Sequence, residues 1–487
     1  MTTPSSLSSA LLRIISQNIG PLVIAQVVSF AVNFLQLIYL ARILAPGHFG
    51  IISLALSIQF FAMMFTNLGT SFMGTRELVV KRRYDPLLYW NITALRLVLI
   101  MPCIGAAVAW LTLSESDPAL SVITLIFLFT VIPVIITPDW VFTGLEQMRL
   151  NSLVKILVSV SCFCLILILV HGQDDLLYVP ITYLIATLLG LFVSLYRLKT
   201  ITGSWDFQVR PSLWITYIRD SVRLGISSYL VVAIASVDLI IIGFLLTTTE
   251  VGYYSAASRL ILAIHTMLSL IVTGVFPAVI RTMEQRPDLI RGLSPYIIML
   301  ILAVEVPGCL LVSINADLII RFLYGGKYLM TIPVLTVLIW SIIPVTLCHL
   351  YTTLLGATFR ESVMMRFLSI HLALLIPVMI GGTYLFGITG TAMAILVIGF
   401  VITALYACVF REEVVFPGRK VMALAVITIF CFALPASVSM WLNLDPILLR
   451  IIPVPLIIIG IITLRLLPFE TIIRSLKIGE SEVKEFM

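Results

Sequence analysis

Runs of about 20 apolar residues recur along this chain between Asn18 and Leu467, and no other feature constrains its fold as strongly. A helix rises ~1.5 Å per residue, so each run can cross the ~30 Å of hydrocarbon in a bilayer. No water there can bond exposed backbone N–H and C=O groups, so a crossing segment must pair them internally, as a helix does. A membrane β-barrel would need segments of ~10 residues with alternating polarity, and that alternation is missing. The runs fall at 18–42, 49–73, 88–112, 119–143, 152–171, 177–199, 222–246, 252–280, 292–313, 331–357, 365–386, 388–410, 420–442 and 447–467. The expected fold is therefore all-α and polytopic, with about 14 transmembrane helices. Composition agrees: 11% of residues are charged, against about 25% in soluble domains.

The basic residues orient these spans. With the N-terminus inside, twenty-four of the 30 Lys and Arg residues fall on or next to one face of the membrane. Only Arg42, Arg321, Lys327 and Arg450 fall on the other, and Arg96 and Arg259 lie within spans. Positive charge is retained on the cytoplasmic side, so both termini are expected in the cytoplasm. The net charge of +6 is thus a topology signal, and no nucleic-acid partner is expected. The first span is expected to act as an uncleaved insertion signal, because no basic segment followed by an apolar core and a small-residue site precedes it. Cys103, Cys162, Cys164, Cys309, Cys348, Cys408 and Cys431 all lie in apolar runs, without disulfide or zinc spacing. They read as small core residues, and no metal or cofactor is expected.

A short internal repeat is visible. Phe49-Gly50-Ile51-Ile52-Ser53-Leu54-Ala55 opens the second span, and Val251-Gly252-Tyr253-Tyr254-Ser255-Ala256-Ala257 opens the eighth. Six spans separate them. An even number preserves orientation, so the expected relation is a parallel repeat about an axis along the membrane normal.

Polar groups inside the apolar runs mark where function is to be sought. In the first span Gln26, Ser29, Asn33 and Gln36 share one helical face by their spacing. Ser255, Arg259, Thr266, Ser269 and Thr273 form a stripe in the eighth, and Thr346, His349 and Thr353 one in the tenth. Such residues either bond neighbouring helices together or line an aqueous path. Ionisable side chains are costlier still in lipid. They include Arg96, Asp139, Lys155, Asp238, Arg259 and Glu305, with His265, His349 and His371. Counting from the turns, Asp139 and Lys155 would each lie ~12 Å deep, and Asp238 and Arg259 ~15 Å deep. Each pair could meet across its hairpin as a structural ion pair or as an ion site. Arg96 could instead extend to the cytoplasmic surface. No GxxxxGK[ST], HExxH or GxSxG pattern occurs, so no ATPase or hydrolase chemistry is indicated.

Several segments, in order, resemble the polysaccharide-transporter family. They are LARILAPGHFGIISLALSI (Leu40 to Ile58), NLGTSFMGTRE (Asn67 to Glu77), VGYYSAASRL (Val251 to Leu260), Phe276-Pro277 and FLYGGKY (Phe322 to Tyr328). That family includes the O-antigen (Wzx-type) flippases. It sits in the larger group holding multidrug and toxin extrusion antiporters and lipid II flippases. The resemblance implies a secondary transporter in the bacterial inner membrane that moves an undecaprenyl-pyrophosphate-linked oligosaccharide to the periplasmic leaflet. It also implies two six-helix lobes around a central cavity, here residues 1–200 and 201–412, with two extra spans and a tail in 413–487.

A pyrophosphate with several sugars cannot enter hydrocarbon unaided, because burying unpaired charge costs many kcal/mol. A polar, locally cationic cavity would solve that, and Arg suits phosphate through its planar fork of donors. The expected substrate-binding residues are Arg42, Arg96, Arg259, Gln26, Asn33, Gln36 and His349. Asp139, Asp238 and Glu305 are the expected carriers of a coupling proton or sodium ion. Expected partners are the lipid-linked oligosaccharide, membrane lipid, and a polysaccharide polymerase with its chain-length machinery. One alternative is a drug/cation antiporter of the same superfamily, against which Arg42 and Arg259 argue. Another is a membrane polymerase or ligase, which needs a large outer loop; the longest here, Asn315 to Met330, is too short.

Overall fold

A computed structural model of the chain describes residues 20–113, 117–203, 206–285, 287–357, 360–412, 414–424 and 426–428. The spans expected at 420–442 and 447–467 lie almost wholly outside these residues, as does Cys431. Among the described residues there is no strand. Ten helices among these residues are long and apolar enough to cross a membrane, and the protein is a multi-pass membrane protein. Their exposed faces carry large apolar side chains, such as Met101, Ile168, Phe192, Tyr384 and Phe386. Such a surface suits lipid and not water. Cys164 and Cys408 are exposed, so they are not core residues; Cys162 and Cys309 are buried as expected.

The chain divides into two compact units, residues 1–255 and 256–487. In the first, the helices are α1 (Gly20–Ile43), α2 (Pro46–Asn67), α3 (Thr70–Lys81), α4 (Pro86–Leu113), α5 (Pro118–Ile136), α6 (Asp139–Gly144), α7 (Met148–Leu169), α8 (Tyr178–Thr202) and α9 (Trp214–Leu245). The opening of α10 (Thr248–Gln285) belongs with them. Within this unit α1 packs on α7, α2 on α5, α7 on α8, and α9 on α2, α3 and α4.

Two expected spans are broken. The second ends at Asn67, because Leu68 and Gly69 both take positive φ, and α3 starts afresh at Thr70. The fourth ends at Ile136, where Pro138 disfavours helical geometry at Thr137. The short α6 then packs on α3. Gly74 faces the Trp140 ring, Gly144 faces Leu78, and Thr75 donates to the Trp140 carbonyl. Trp140, Val141 and Phe142 join Met73, Leu78, Tyr89 and Leu198 in one buried cluster.

The repeat noted in the sequence becomes a contact within this unit. A Cβ at Gly50 would collide with the backbone of Thr248 and Gly252, and a Cβ at Gly252 with the carbonyl of Pro46. Each glycine thus lies against the residue four positions before the other. That reciprocity is what a two-fold relation between the two helix openings produces.

The second unit holds the rest of α10, then α11 (Pro287–Ile314), α12 (Ala316–Tyr324), α13 (Thr331–Leu338), α14 (Ile342–Ala357) and α15 (Glu361–Val409). A 3-10 turn at Ile339–Ser341 separates α13 from α14. α15 is nominally 49 residues long, but Gly387 takes φ 60 and ψ −146. Thr383 and Thr391 Oγ1 atoms lie 2.7 Å apart. Eight residues of straight helix would separate them by ~12 Å, so the chain reverses at Gly387 and forms the two spans expected at 365–386 and 388–410.

Candidate functional site

The buried polar groups fall into distinct clusters. Arg96 of α4 is buried. Its Nε donates to Thr70 Oγ1 at 2.7 Å, and its Nη2 donates to Asn67 Oδ1 and Ser71 Oγ, both at 2.8 Å. It does not reach the cytoplasmic surface. It caps the break between α2 and α3, with its acceptors Asn67, Thr70 and Ser71 on both sides of that break. Close by, the Gly69 N–H donates to Tyr229 Oη, and Gly225 of α9 packs against Gly69 with no room for a Cβ on either. Sequence reading missed Tyr229. The clue was the positive-φ glycine, whose N–H a helix break leaves without a partner.

Asn91, one turn and a half before Arg96, is fully buried. Its Oδ1 accepts from Arg210 N at 2.7 Å and Trp214 Nε1 at 3.3 Å, while Nδ2 donates to the Leu87 and Gln208 carbonyls. One side chain therefore pins the long polar connection before α9.

The α1 stripe splits between two environments. Gln36 is buried and donates from Nε2 to Tyr183 Oη at 2.6 Å, tying α1 to α8. Ser29 is buried as well, whereas Gln26 and Asn33 are exposed. Arg42 is exposed in the last turn of α1, where a cation suits the helix dipole. The expected Asp139–Lys155 pair does not form. The break at Pro138 carries Asp139 to an exposed position, where its Oδ1 accepts from Trp140 N, and Lys155 is exposed on α7. Asp238 of α9 is half-buried and accepts from Tyr254 Oη at 2.9 Å.

In the second unit, His265 and His349 face each other with ring centroids 6.5 Å apart. Arg259 is half-buried on α10, near Tyr324, whose hydroxyl donates to the Ala256 carbonyl at 3.2 Å. Glu305 of α11 is 4% exposed, and among the described residues neither carboxyl oxygen has a hydrogen-bond partner. The Thr346 hydroxyl, also buried without a partner, lies beside it but out of hydrogen-bond geometry.

The candidate residues thus sit in several places and form no single cluster within either unit. No group of three or more His, Cys, Asp or Glu able to hold a metal occurs among the described residues. The first unit also holds a cavity of about 670 Å³ between α2, α4, α5 and α9. Its walls are apolar, with Phe65, Trp110, Tyr229 and Phe244 among them, and none of the expected binding residues lines it.

Residues 15–283 match the polysaccharide biosynthesis protein family. Over 273 residues the chain is 23% identical to a protein of Escherichia coli (strain K12) named "Putative O-antigen transporter". The match spans 55% of this chain and 65% of that relative, less than two thirds of its length. Among solved structures, a lipid II flippase MurJ in an inward closed conformation superposes with a TM-score of 0.74 at 13% identity, over 93% of this chain and 99% of that one. An inward-facing multidrug resistance MATE family transporter of the MOP superfamily gives 0.60 at 14% identity, over 79% and 94%. At such identities the likeness is one of fold.

Proposed function

The chain belongs to the polysaccharide biosynthesis protein family, and from that premise we propose that it is a flippase for lipid-linked polysaccharide precursors. The finer reading is an undecaprenyl-pyrophosphate-linked repeat unit, of O-antigen or another surface polysaccharide, carried from the cytoplasmic to the periplasmic leaflet. Alternating access of two lobes, 1–200 and 201–412, moves it, and ion antiport drives it. The observation that carries this reading is the family match across a chain whose lipid-crossing helices bury ionisable side chains. The lipid II flippase fold supports it. Arg259, Arg42 and His349 remain the proposed contacts to the pyrophosphate and sugars. Arg96 has a structural role in this reading, since its donors already serve Thr70, Asn67 and Ser71.

Both termini face the cytoplasm in this reading. Single cysteines at Asp175 should then react with an impermeant thiol reagent from outside, and those at Arg82 should not. The functional test is depletion of the protein in its host. Lipid-linked oligosaccharide should accumulate facing the cytoplasm, inaccessible to lectin added to spheroplasts, and re-expression should restore access. Undiminished lectin access after depletion would sink the flippase reading. Export of a cationic dye that depends on this chain would favour the drug/cation antiporter instead.

A further inference from the structure

Glu305 stands apart from every other buried charge described in the protein. An ionised carboxylate in the interior of a membrane protein needs a cation or several donors, because its desolvation costs several kcal/mol. Among the described residues Glu305 has neither, and both of its oxygens are shut off from solvent. A neutral carboxylic acid carries a far smaller penalty.

The surroundings of Glu305 admit a proton and little else. A sodium ion would need several oxygen ligands; the oxygen-bearing side chain beside the carboxyl is Thr346. Helices α12, α13 and α14 and the 3-10 turn at Ile339–Ser341 pack against α11. Their titratable groups are Asp317, Arg321 and Tyr324 on α12, and Cys348, His349 and Tyr351 on α14. Among the described residues, none of them forms an ion pair or a hydrogen bond with the Glu305 carboxyl. The helix is loosened at the same point. Pro307 has no N–H, so the Ala303 carbonyl lacks its helical donor two residues before Glu305. Gly308 has open space where a side chain would be. Thr346 leads on, one turn along α14, to His349 and its neighbour His265.

We propose that Glu305 is the proton-carrying site of the transporter: an un-ionised acid in this state that takes its proton from the outer side and releases it inward. The inference rests on the reading of the chain as a secondary transporter and names its coupling ion. The balance is simple, since the carboxylate gains one proton and the acid loses it, with no other reactant.

The test uses the full-length chain in lipid nanodiscs and proteoliposomes, as wild type and as Glu305→Gln. The glutamine keeps the shape of the neutral acid, so its melting temperature should stay within roughly 2 °C of wild type. At neutral pH the wild type should display the infrared carbonyl stretch of one protonated carboxyl, and Glu305→Gln should lack it. Flipping of lipid-linked oligosaccharide by the wild type should rise with an inward proton gradient, and the variant should lose that response entirely. Identical infrared spectra, or an unchanged response to the gradient, would overturn the proposal. So would drive by sodium at fixed pH that Glu305→Gln abolishes. If the wild type carries the titrating band but flips no oligosaccharide, the flippase reading fails and the proton site stands.

Discussion

Arg96 and Glu305 are both buried ionisable residues in membrane-spanning helices, and their surroundings are opposite. Arg96 has three hydrogen bonds to side chains gathered at a helix break. Glu305 has none. The difference teaches how to separate a structural charge from one that changes its state. A charge saturated with fixed partners can lose its proton or change partner only by breaking the fold around it. A group with no partner is stable only when neutral, and it is poised to change when the surroundings open. The same physics, a low-dielectric interior that penalises unpaired charge, yields a bolt in one unit and a proposed carrier in the other.

The largest expected effect tests this contrast directly. Arg96→Met should destabilise the protein by about 3 kcal/mol or more, because charge-assisted hydrogen bonds are worth ~1.5–3 kcal/mol each and their acceptors stay buried. Arg96→Lys should recover part of that, since an ammonium cannot reproduce the guanidinium fork. Glu305→Leu, by contrast, should fall within about 1 kcal/mol of wild type, as an apolar replacement for a neutral orphan. Denaturation in mixed detergent micelles measures all three. Equal losses for Arg96→Met and Glu305→Leu would erase the distinction.

Next comes the reciprocal glycine contact. Gly50→Ala and Gly252→Ala each place a methyl group against backbone that has no side-chain freedom to yield. Overpacking of this kind costs about 1–3 kcal/mol. Either methyl alone must part the openings of α2 and α10, so the double variant should lose little more than one single variant does. Fully additive losses in the double-mutant cycle would mean that the two glycines do not share one contact.

Much of this fold was legible because hydrocarbon imposes one strong rule on sequence. Spans at 88–112, 152–171 and 177–199 appear within a few residues as α4, α7 and α8, since a run of apolar residues can do little else in a bilayer. Local breaks were harder. Pro138 was visible, yet a hydropathy window passes over it, and the depth assigned to Asp139 failed at that residue. The α1 stripe misled for a different reason. Spacing places Gln26, Asn33 and Gln36 within one arc, but only the neighbours decide that Tyr183 meets Gln36 while Asn33 is left exposed. The contrast between Arg96 and Glu305 lay beyond sequence reading altogether. The partners of Arg96 come from residues 25 to 29 positions away, and an orphan is defined by what all its neighbours lack.

A smaller effect is expected at Asn91, which resembles Arg96 in being saturated but carries no charge. Asn91→Ala leaves the Arg210 N–H and the Trp214 indole without their acceptor. The cost should be about 1–2 kcal/mol, confined to the connection before α9. Faster hydrogen exchange at 206–213, with α4 and α5 unchanged, is the expected signature. Exchange that rises evenly across the unit would mean that Asn91 supports the helices and not the connection.

The smallest effect belongs to a charge pair at the aqueous edge, where the contrast with buried groups is sharpest. Lys81 Nζ lies 2.9 Å from Asp85 Oδ2 and 3.7 Å from Glu77 Oε2. Partial burial pushes the Asp85 carboxyl upward, but the Lys81 ammonium and the Leu88 and Leu87 N–H groups outweigh it and hold the carboxyl below its ordinary 3.8. The Asp85 hydrogen bond raises Lys81 above 10.5 against the opposing effect of desolvation. A lowered carboxyl stabilises the fold fully above its unfolded value and loses that contribution as pH falls through the folded value. A raised ammonium does so fully below its unfolded value and loses it as pH rises through the folded one. The pair should therefore contribute a constant increment between about pH 5 and pH 9, which falls away on both sides. Lys81 is 41% exposed and Asp85 23%, so water screens them and the increment should stay below ~1 kcal/mol. Asp85→Asn should cost that amount at pH 7 and progressively less as pH falls through the lowered value of the folded carboxyl. The loss at pH 7 should shrink further in high salt, since the Debye length falls to ~3 Å at 1 M. A pH-independent cost would assign the role of Asp85 to its cap on Leu88 N, at 3.2 Å, in place of its charge.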